Sequence, residues 1–321
     1  VRAVVTGCAG FIGSHLAGAL LRDGWSVVGI DCFNDNYGRS QKLKNLHEVA
    51  GWDLFEFVPI DLARGDLGDL VEGCDIVFHL AAEPGVRASW GRRYEKYLQN
   101  NVLASQHLLE AMTVRPGIRL VYASSSSIYG EAAVHPTPES ARPRPLSPYG
   151  QTKAAMEQIC ELYRHNHGVD VVGLRYFTVF GPRQRPDMAF HRICRAAIER
   201  TEFGVFGDGR QTRDFTYVGD VVDVTIAAAT AELGGVRVFN IGGGAPTSLR
   251  EAIDLIGQIA GQPLAVRYSD AERGDVRDTA ADTALARDTL SFAPSWSLAD
   301  GLAAEYEWLA GLLASEVPSA R

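Results

Sequence analysis

Tyr149 and Lys153 stand four residues apart in Tyr149-Gly150-Gln151-Thr152-Lys153. On a helix this spacing puts both side chains on one face, where an ammonium stabilises a phenolate and draws the tyrosine pKa down. A tyrosine held that way can take a proton from an alcohol and return it. A second constellation opens the chain. Gly7-Cys8-Ala9-Gly10-Phe11-Ile12-Gly13 lies between a short apolar run, residues 2 to 6, and a helical pattern that continues through Leu21. A strand, a glycine turn and a helix in that order let a pyrophosphate approach the backbone amides at the helix N-terminus, where the helix dipole favours anions. Asp31 ends the next apolar run, Ser26 to Ile30, 18 residues after Gly13. That is close to the spacing of an acid that accepts hydrogen bonds from an adenosine ribose and repels a 2′-phosphate, which favours NAD over NADP. Asp61, after Phe57-Val58-Pro59-Ile60, fits an adenine contact or a helix N-cap. Ser124 to Ser127 follow the apolar run Arg119 to Ala123 and precede Ile128-Tyr129-Gly130. Their hydroxyls would stand at the carboxyl end of a central strand, where ligands bind in such sheets, unless the cluster is only a polar turn.

The elements that must position these groups alternate. Further apolar runs at 55 to 59, 76 to 80, 119 to 123 and 169 to 174 are separated by helical stretches, which implies a doubly wound α/β fold of Rossmann type with a parallel sheet and right-handed crossovers. The segment from His135 to Pro148 carries five prolines and no periodicity and reads as a surface loop leading into the Tyr149 helix. After Phe177 the pattern becomes irregular, with Gly181-Pro182, Arg183, Arg185-Pro186 and the turn Gly207-Asp208-Gly209. A helix from about Val218 to Ala231 and a strand from Arg237 to Asn240 would return to the sheet, and a helix from Leu249 to Ala260 would help complete a small cap. The expected division is a NAD-binding domain of residues 1–175 and 213–243 and a smaller, discontinuous substrate domain of residues 176–212 and 244–321. Internal repeats and low-complexity segments are absent from the sequence.

At 321 residues and 46% hydrophobic the chain can bury a substantial core as a soluble globular protein. Its net charge of -8 is spread without a basic block, which argues against nucleic acid or an anionic membrane as partner, so an anionic substrate needs local arginines. Five cysteines, Cys8, Cys32, Cys74, Cys160 and Cys194, have neither Cys-x-x-Cys spacing nor clustering with histidine, as expected of reduced thiols in a cytoplasmic protein. No apolar run has membrane-spanning length, and no basic-then-apolar leader precedes the first strand. The chain begins at Val1, which suggests trimming of an initiator methionine. His165 and His167 have no neighbours that complete a ligand set, so no metal site is expected.

Taken with His79-Leu80-Ala81-Ala82 and Arg213-Asp214-Phe215, these motifs resemble the extended short-chain dehydrogenase/reductases over nearly the whole chain. Within that family Ser125-Ser126-Ser127 lacks the acidic residues of the sugar dehydratases (Thr-Asp-Glu) and uronate decarboxylases (Thr-Ser-Glu), and is similar to the small hydroxyl residues of epimerases. Asp31-Cys32-Phe33-Asn34-Asp35-Asn36-Tyr37, Thr178 in Phe177-Thr178-Val179-Phe180-Gly181-Pro182, and Arg185-Pro186-Asp187-Met188-Ala189 resemble the UDP-glucuronate 4-epimerases most closely. The resemblance implies a catalytic set of Tyr149, Lys153 and Ser125. It implies bound NAD held by Gly7, Gly10, Phe11, Ile12, Gly13, Asp31, Asn34, Asp61, Leu62, Leu80, Ala81, Ala82, Tyr149, Lys153 and Tyr176. It implies a UDP-sugar met by Ser125, Ser126, Ser127, Tyr149, Thr178, Arg185, Arg213 and Asp275, with Ser126, Ser127 and Thr178 around a sugar carboxylate. The family's late Arg-x-Gly-Asp reads Glu272-Arg273-Gly274-Asp275 here, so Arg213 is the expected arginine at the diphosphate. A neutral UDP-glucose/UDP-galactose 4-epimerase is the alternative, opposed by Thr178 and Arg185; a uronate decarboxylase or a non-catalytic NAD sensor stands further off. The resemblance also implies a homodimer built on helices near Tyr94 to Met112 and Tyr149 to His167.

Overall fold

A computed structural model describes residues 1–115, 117–270 and 276–316. The first half runs β1 (Arg2–Thr6), α1 (Phe11–Arg22), β2 (Ser26–Ile30), α2 (Arg39–His47), β3 (Phe55–Val58), α3 (Gly68–Val71), β4 (Ile76–His79), α4 (Tyr94–Tyr97), a π-helical segment (Leu98–Leu103), α5 (Ala104–Thr113), β5 (Arg119–Ser125) and α6 (Pro148–His167). The remainder runs β6 (Asp170–Tyr176), β7 (Thr178–Phe180), α7 (Ala189–Glu199), β8 (Phe203–Phe206), β9 (Thr212–Arg213), β10 (Phe215–Tyr217), α8 (Val218–Thr230), β11 (Val238–Ile241), β12 (Thr247–Ser248), α9 (Leu249–Ile259), β13 (Val266–Ser269), α10 (Ala284–Leu290) and α11 (Leu298–Glu316).

Seven strands form one sheet in the order β11-β6-β5-β4-β1-β2-β3, every pairing parallel. This is the doubly wound α/β arrangement expected, and it explains the nearly unbroken apolar runs, because both faces of a parallel sheet are covered. Alternation within the runs assigns each residue to a face. Ala3 and Val5 of β1 pack with α1 and α8, while Val4 packs with α5 and α6. In β5, Val121 and Ala123 face the first layer and Leu120 and Tyr122 the second. Each such aliphatic side chain, fully buried, contributes ~1.5–3 kcal/mol before the entropy of ordering is subtracted.

Two strands run further than the sequence indicates. β5 continues through Ser124 and Ser125, and β6 reaches Tyr176. Pairing of Ser124 with Arg175 and Ser125 with Tyr176 carries the ladder to the edge of the site, so the serines are strand-end residues and not only a turn. The proline-rich segment before α6 forms no strand of the sheet, but it is not wholly superficial. Thr137 is buried and bridges to Ala281, with its N–H donating to the Ala280 carbonyl at 2.8 Å.

A separate core lies among α7, α9 and α11, with Phe190, Ile193, Ile253, Ile256, Leu302 and Leu309 inside it. Three two-stranded pairings surround it: β7 with β10, β8 with β13, and β9 with β12. α10 packs differently, with Ala286 and Leu290 joining the cluster on the main sheet. Among the described residues no helix is long and apolar enough to cross a membrane.

Candidate active site

The carboxyl ends of the central strands open into a cleft of about 350 Å³. It begins where strand order reverses, between β1 and β4, the place at which doubly wound sheets bind ligands. Gly7, with φ at +71°, has no room for a side chain, since a Cβ there would lie 2.8 Å from the Ala81 nitrogen. A Cβ on Gly13 would collide with the Gly7 carbonyl. The turn is closed by the Gly10 N–H donating to the Gly7 carbonyl at 2.9 Å. A cradle that any Cβ would fill, at the N-terminus of a helix with no acidic residue in its first turn, fits the diphosphate of a dinucleotide.

Asp31 sits at the end of β2, only 8% exposed, and accepts from the backbone N–H groups of Phe33 at 2.8 Å and Ala9 at 3.2 Å. Asn34 donates to Glu83 at 3.0 Å, and Lys42 donates to Asn34 at 2.5 Å while standing 3.7 Å from Asp31. Asp61 accepts from the Ala63 N–H at 3.0 Å in a turn, so no helix starts there for it to cap; it lines the cleft. Phe11, Ile12, Leu62, Leu80, Ala81, Ala82 and Tyr176 line the same wall. The Tyr176 hydroxyl bonds Thr225 on α8 at 2.7 Å, so its ring is what faces the cleft.

The chemical end is set by the start of α6. Ser147 caps the helix by accepting the Gly150 N–H at 3.1 Å, and Pro148 fills the first turn. Tyr149 thus stands at the positive end of a helix, where a phenolate is favoured. Lys153, one turn on, is 3% exposed and donates from Nζ to the Ala123 carbonyl at 2.9 Å. Burial draws the lysine down to about 8, with Cys160 and Glu157 opposing the shift. One expectation needs correction. The structure does not lower the Tyr149 pKa through Lys153; burial raises it, opposed by a hydrogen bond with Ser125 and the charge of Arg185. The ammonium donates to a backbone carbonyl, and the groups that oppose the rise at Tyr149 are Ser125 and Arg185.

Ser125, Ser126, Ser127, Thr178 and Arg185 line the same cleft beyond Tyr149. The Ser125 hydroxyl accepts the Ser127 N–H at 3.1 Å, which turns the chain so that successive hydroxyls meet the cavity. Arg185 arrives on the loop after β7, its Nε and Nη2 paired with both carboxylate oxygens of Asp187 at 2.9 and 2.8 Å. Arg213 lies apart from this set. It lines an adjoining cavity of about 160 Å³ that shares Ser126, Ser127 and Thr178 with the cleft. Its guanidinium donates to the carbonyls of Thr212, Val276 and Arg277. Asp275 lies outside the described residues.

Several neighbours were not singled out from sequence. Lys42 and Glu83 are buried at the ribose end, and no spacing rule points to either. Tyr97 meets the Tyr149 ring edge-on at 6.3 Å between centroids. Glu157 did carry a signal, since Tyr149, Lys153 and Glu157 recur every fourth residue on α6. It accepts from Ser124 at 2.5 Å and pairs with both Nε and Nη2 of Arg175, at 2.9 and 2.8 Å, beneath the site. Among the described residues no group of histidines, cysteines and acids could hold a metal ion.

A sequence model of the NAD dependent epimerase/dehydratase family matches residues 3–242. The chain belongs to this family. A UDP-glucuronate 4-epimerase of Thermodesulfobacterium geofontis is 36% identical over 309 residues, covering 95% of each chain. A Bacillus subtilis protein named as an uncharacterized UDP-glucose epimerase is 43% identical over 318 residues, covering 98% of this chain and 100% of that one. The crystal structure of UDP-glucuronic acid 4-epimerase from Bacillus cereus, in complex with UDP-glucuronic acid and NAD, superposes with a TM-score of 0.93 at 40% identity, covering 97% of this chain and 100% of that one. Like other members of the family, this chain uses NAD as its cofactor, and the glycine cradle and Asp31 fit that molecule.

Proposed function

We propose that this chain is an isomerase that interconverts UDP-glucuronate and UDP-galacturonate through a 4-keto intermediate. The observation that carries the reading is one continuous cleft in which a dinucleotide cradle, the Tyr149–Lys153 pair and a hydroxyl-rich sugar end meet. NAD, when bound, accepts the hydrogen leaving C4 of the sugar and returns it. Gly7, Gly10 and Gly13 would hold its diphosphate, and Asp31 with Asn34 its adenosine ribose. Tyr149 takes the proton from O4 as C4 is oxidised and gives it back as C4 is reduced on the opposite face. Ser125 bonds the phenol and shares that proton path, and Lys153 keeps positive charge behind it.

A uronate imposes a further demand, because its 4-keto form is a β-keto acid prone to lose CO2. Ser126, Ser127 and Thr178 hold the carboxylate away from the geometry of cleavage, with Arg185 on the substrate side. Arg213, in the adjoining cavity, takes the diphosphate end, and Asp275 is a further substrate contact. The two-part division is part of the proposal, with Tyr176 and α10 moved to the NAD-binding part, where they join the main sheet and its core, and with the sugar turning between the parts. So is a homodimer on α4–α5 and α6, supported by the exposed Leu98, Leu103 and Leu162 on those elements. The five free cysteines, four of them buried, support a cytoplasmic setting.

One observation favours the neutral-sugar reading, a UDP-glucose/UDP-galactose 4-epimerase. The fork of Arg185 is already matched by Asp187, so its charge is partly balanced inside its own loop. A proton NMR time course decides between them. Growth of the UDP-galacturonate anomeric signal from UDP-glucuronate, without added cofactor, is the expected result. Interconversion of UDP-glucose and UDP-galactose alone overturns the uronate assignment.

A further inference from the structure

Glu305 has no part in the chemistry above, yet it occupies a costly place. On α11 the side chains of Leu302, Glu305 and Leu309 form one buried stripe, each 0 to 1% exposed, inside the apolar core among α7, α9 and α11. An aliphatic residue at position 305 would complete that stripe. Instead a carboxyl stands there. Its Oε2 accepts the Gly181 N–H at 2.9 Å, and its Oε1 is buried with no partner among the described residues.

The contact is set by helix geometry. Gly301 and Glu305 are one turn apart on α11, and they meet the last residue of β7 and the residue that follows it. A Cβ on Gly301 would lie 2.6 Å from the Phe180 ring, and Glu305 bonds Gly181. Gly181 itself has φ at +132°, and a Cβ there would lie 2.8 Å from Val218. The turn is thus packed closely between α11 and the start of α8. Thr178 is three residues before it and Arg185 four residues after. Two further contacts seat the same loop: His15 of α1 bonds the Pro182 carbonyl at 2.8 Å, and the Gln184 side chain accepts the His191 N–H at 2.9 Å.

We infer that Glu305 is a positioning residue that fixes the Gly181 turn and thereby places Thr178 and Arg185 at the sugar end of the cleft. This rests on the role proposed above for those two residues. A group whose burial opposes its charge, retained at a stability cost, is characteristic of sites that serve function. Burial pushes the Glu305 carboxyl up to about 8, with the Gly181 N–H opposing the shift; Cys194 of α7 and Tyr217 at the end of β10 face it, both raised chiefly by burial and Tyr217 next by Asp220, with the Glu305 charge adding to each. An acid whose folded pKa lies above its unfolded value of about 4.3 makes the folded state bind the extra proton. Stability is then lost as pH rises between those two values.

The test uses the NAD-loaded enzyme and the variants Glu305→Gln, which keeps an acceptor for Gly181, and Glu305→Leu, which removes it. Hydrogen exchange of the 176–190 segment should match wild type in Glu305→Gln and be about tenfold faster in Glu305→Leu, the scale of one lost buried bond. With UDP-glucuronate, Glu305→Leu should raise KM about tenfold with bound NAD unchanged, and Glu305→Gln should restore it. If the leucine variant does not fold, Glu305→Gln alone decides. Its melting temperature should exceed wild type at pH 8 by a margin that shrinks toward pH 5, and its KM should match wild type. Unchanged exchange and KM in Glu305→Leu, or an identical pH dependence of melting temperature for wild type and Glu305→Gln, overturn the inference. Absence of any turnover of UDP-glucuronate by wild type overturns the proposed substrate instead, and the exchange measurement still judges Glu305.

Discussion

At the glycine turn of the cleft the site is shaped by backbone: Gly7 and Gly13 leave no room for a Cβ, and the nearby Asp31 is fixed by two N–H groups. At the sugar end the contacts are side chains, Ser126 and Ser127 after β5, Thr178 on β7 and Arg185 on a loop, brought together from distant parts of the chain. The first end tolerates almost no substitution and is insensitive to loop placement. The second end depends on how well its loops are held. Catalysis is divided between them at Tyr149, which belongs to neither: it is placed by a helix cap.

The strongest break in that comparison is at Tyr149. Tyr149→Phe should lower kcat by roughly a thousandfold, while NAD released from denatured protein stays at the wild-type ratio; loss of cofactor together with activity would mean that the phenol is part of the cradle. At the backbone end, Gly13→Ala should cost ~1–3 kcal/mol by overpacking, read as a drop in melting temperature accompanied by loss of NAD. Between the two ends, the pH profile reports Lys153. As pH rises through about 8 its ammonium is lost, so turnover should fall on the alkaline side, and Lys153→Arg should move that limb upward. The smallest effect belongs to the side-chain end. Thr178→Ala should change KM a few-fold, ~1 kcal/mol for one hydrogen bond, and add a UDP-pentose by-product detectable by NMR; no by-product and no change in turnover would remove Thr178 from the carboxylate site.

The same contrast explains what the sequence made legible. The glycine turn, Asp31 and the strand runs are local: backbone geometry demands given residue types at given spacings, so the doubly wound sheet and the cofactor end can be read from a linear pattern. Tyr149 and Lys153 are legible from their spacing, and Ser125 from the family resemblance. Lys42 and Glu83 are not, because they reach the ribose end from α2 and from the turn after β4 with no fixed spacing to Asp31. Arg213 could be named but not placed, since its cavity is formed partly by Val276 and Thr279 far along the chain. The direction of the Tyr149 shift also escaped, because spacing puts Lys153 on the right face but does not reveal that its Nζ is committed to Ala123. Glu305 breaks an apolar stripe, a signal visible in the sequence, although its partner Gly181 is not.

In the proposed reaction hydrogen leaves and returns to C4 of one sugar without escaping the cleft. UDP-glucuronate carrying deuterium at C4, incubated in ordinary water with enzyme and no added NAD, tests it directly. The expected product is UDP-galacturonate that keeps its deuterium at C4 and at no other carbon. Product with hydrogen at C4, or label exchanged into water, would contradict it.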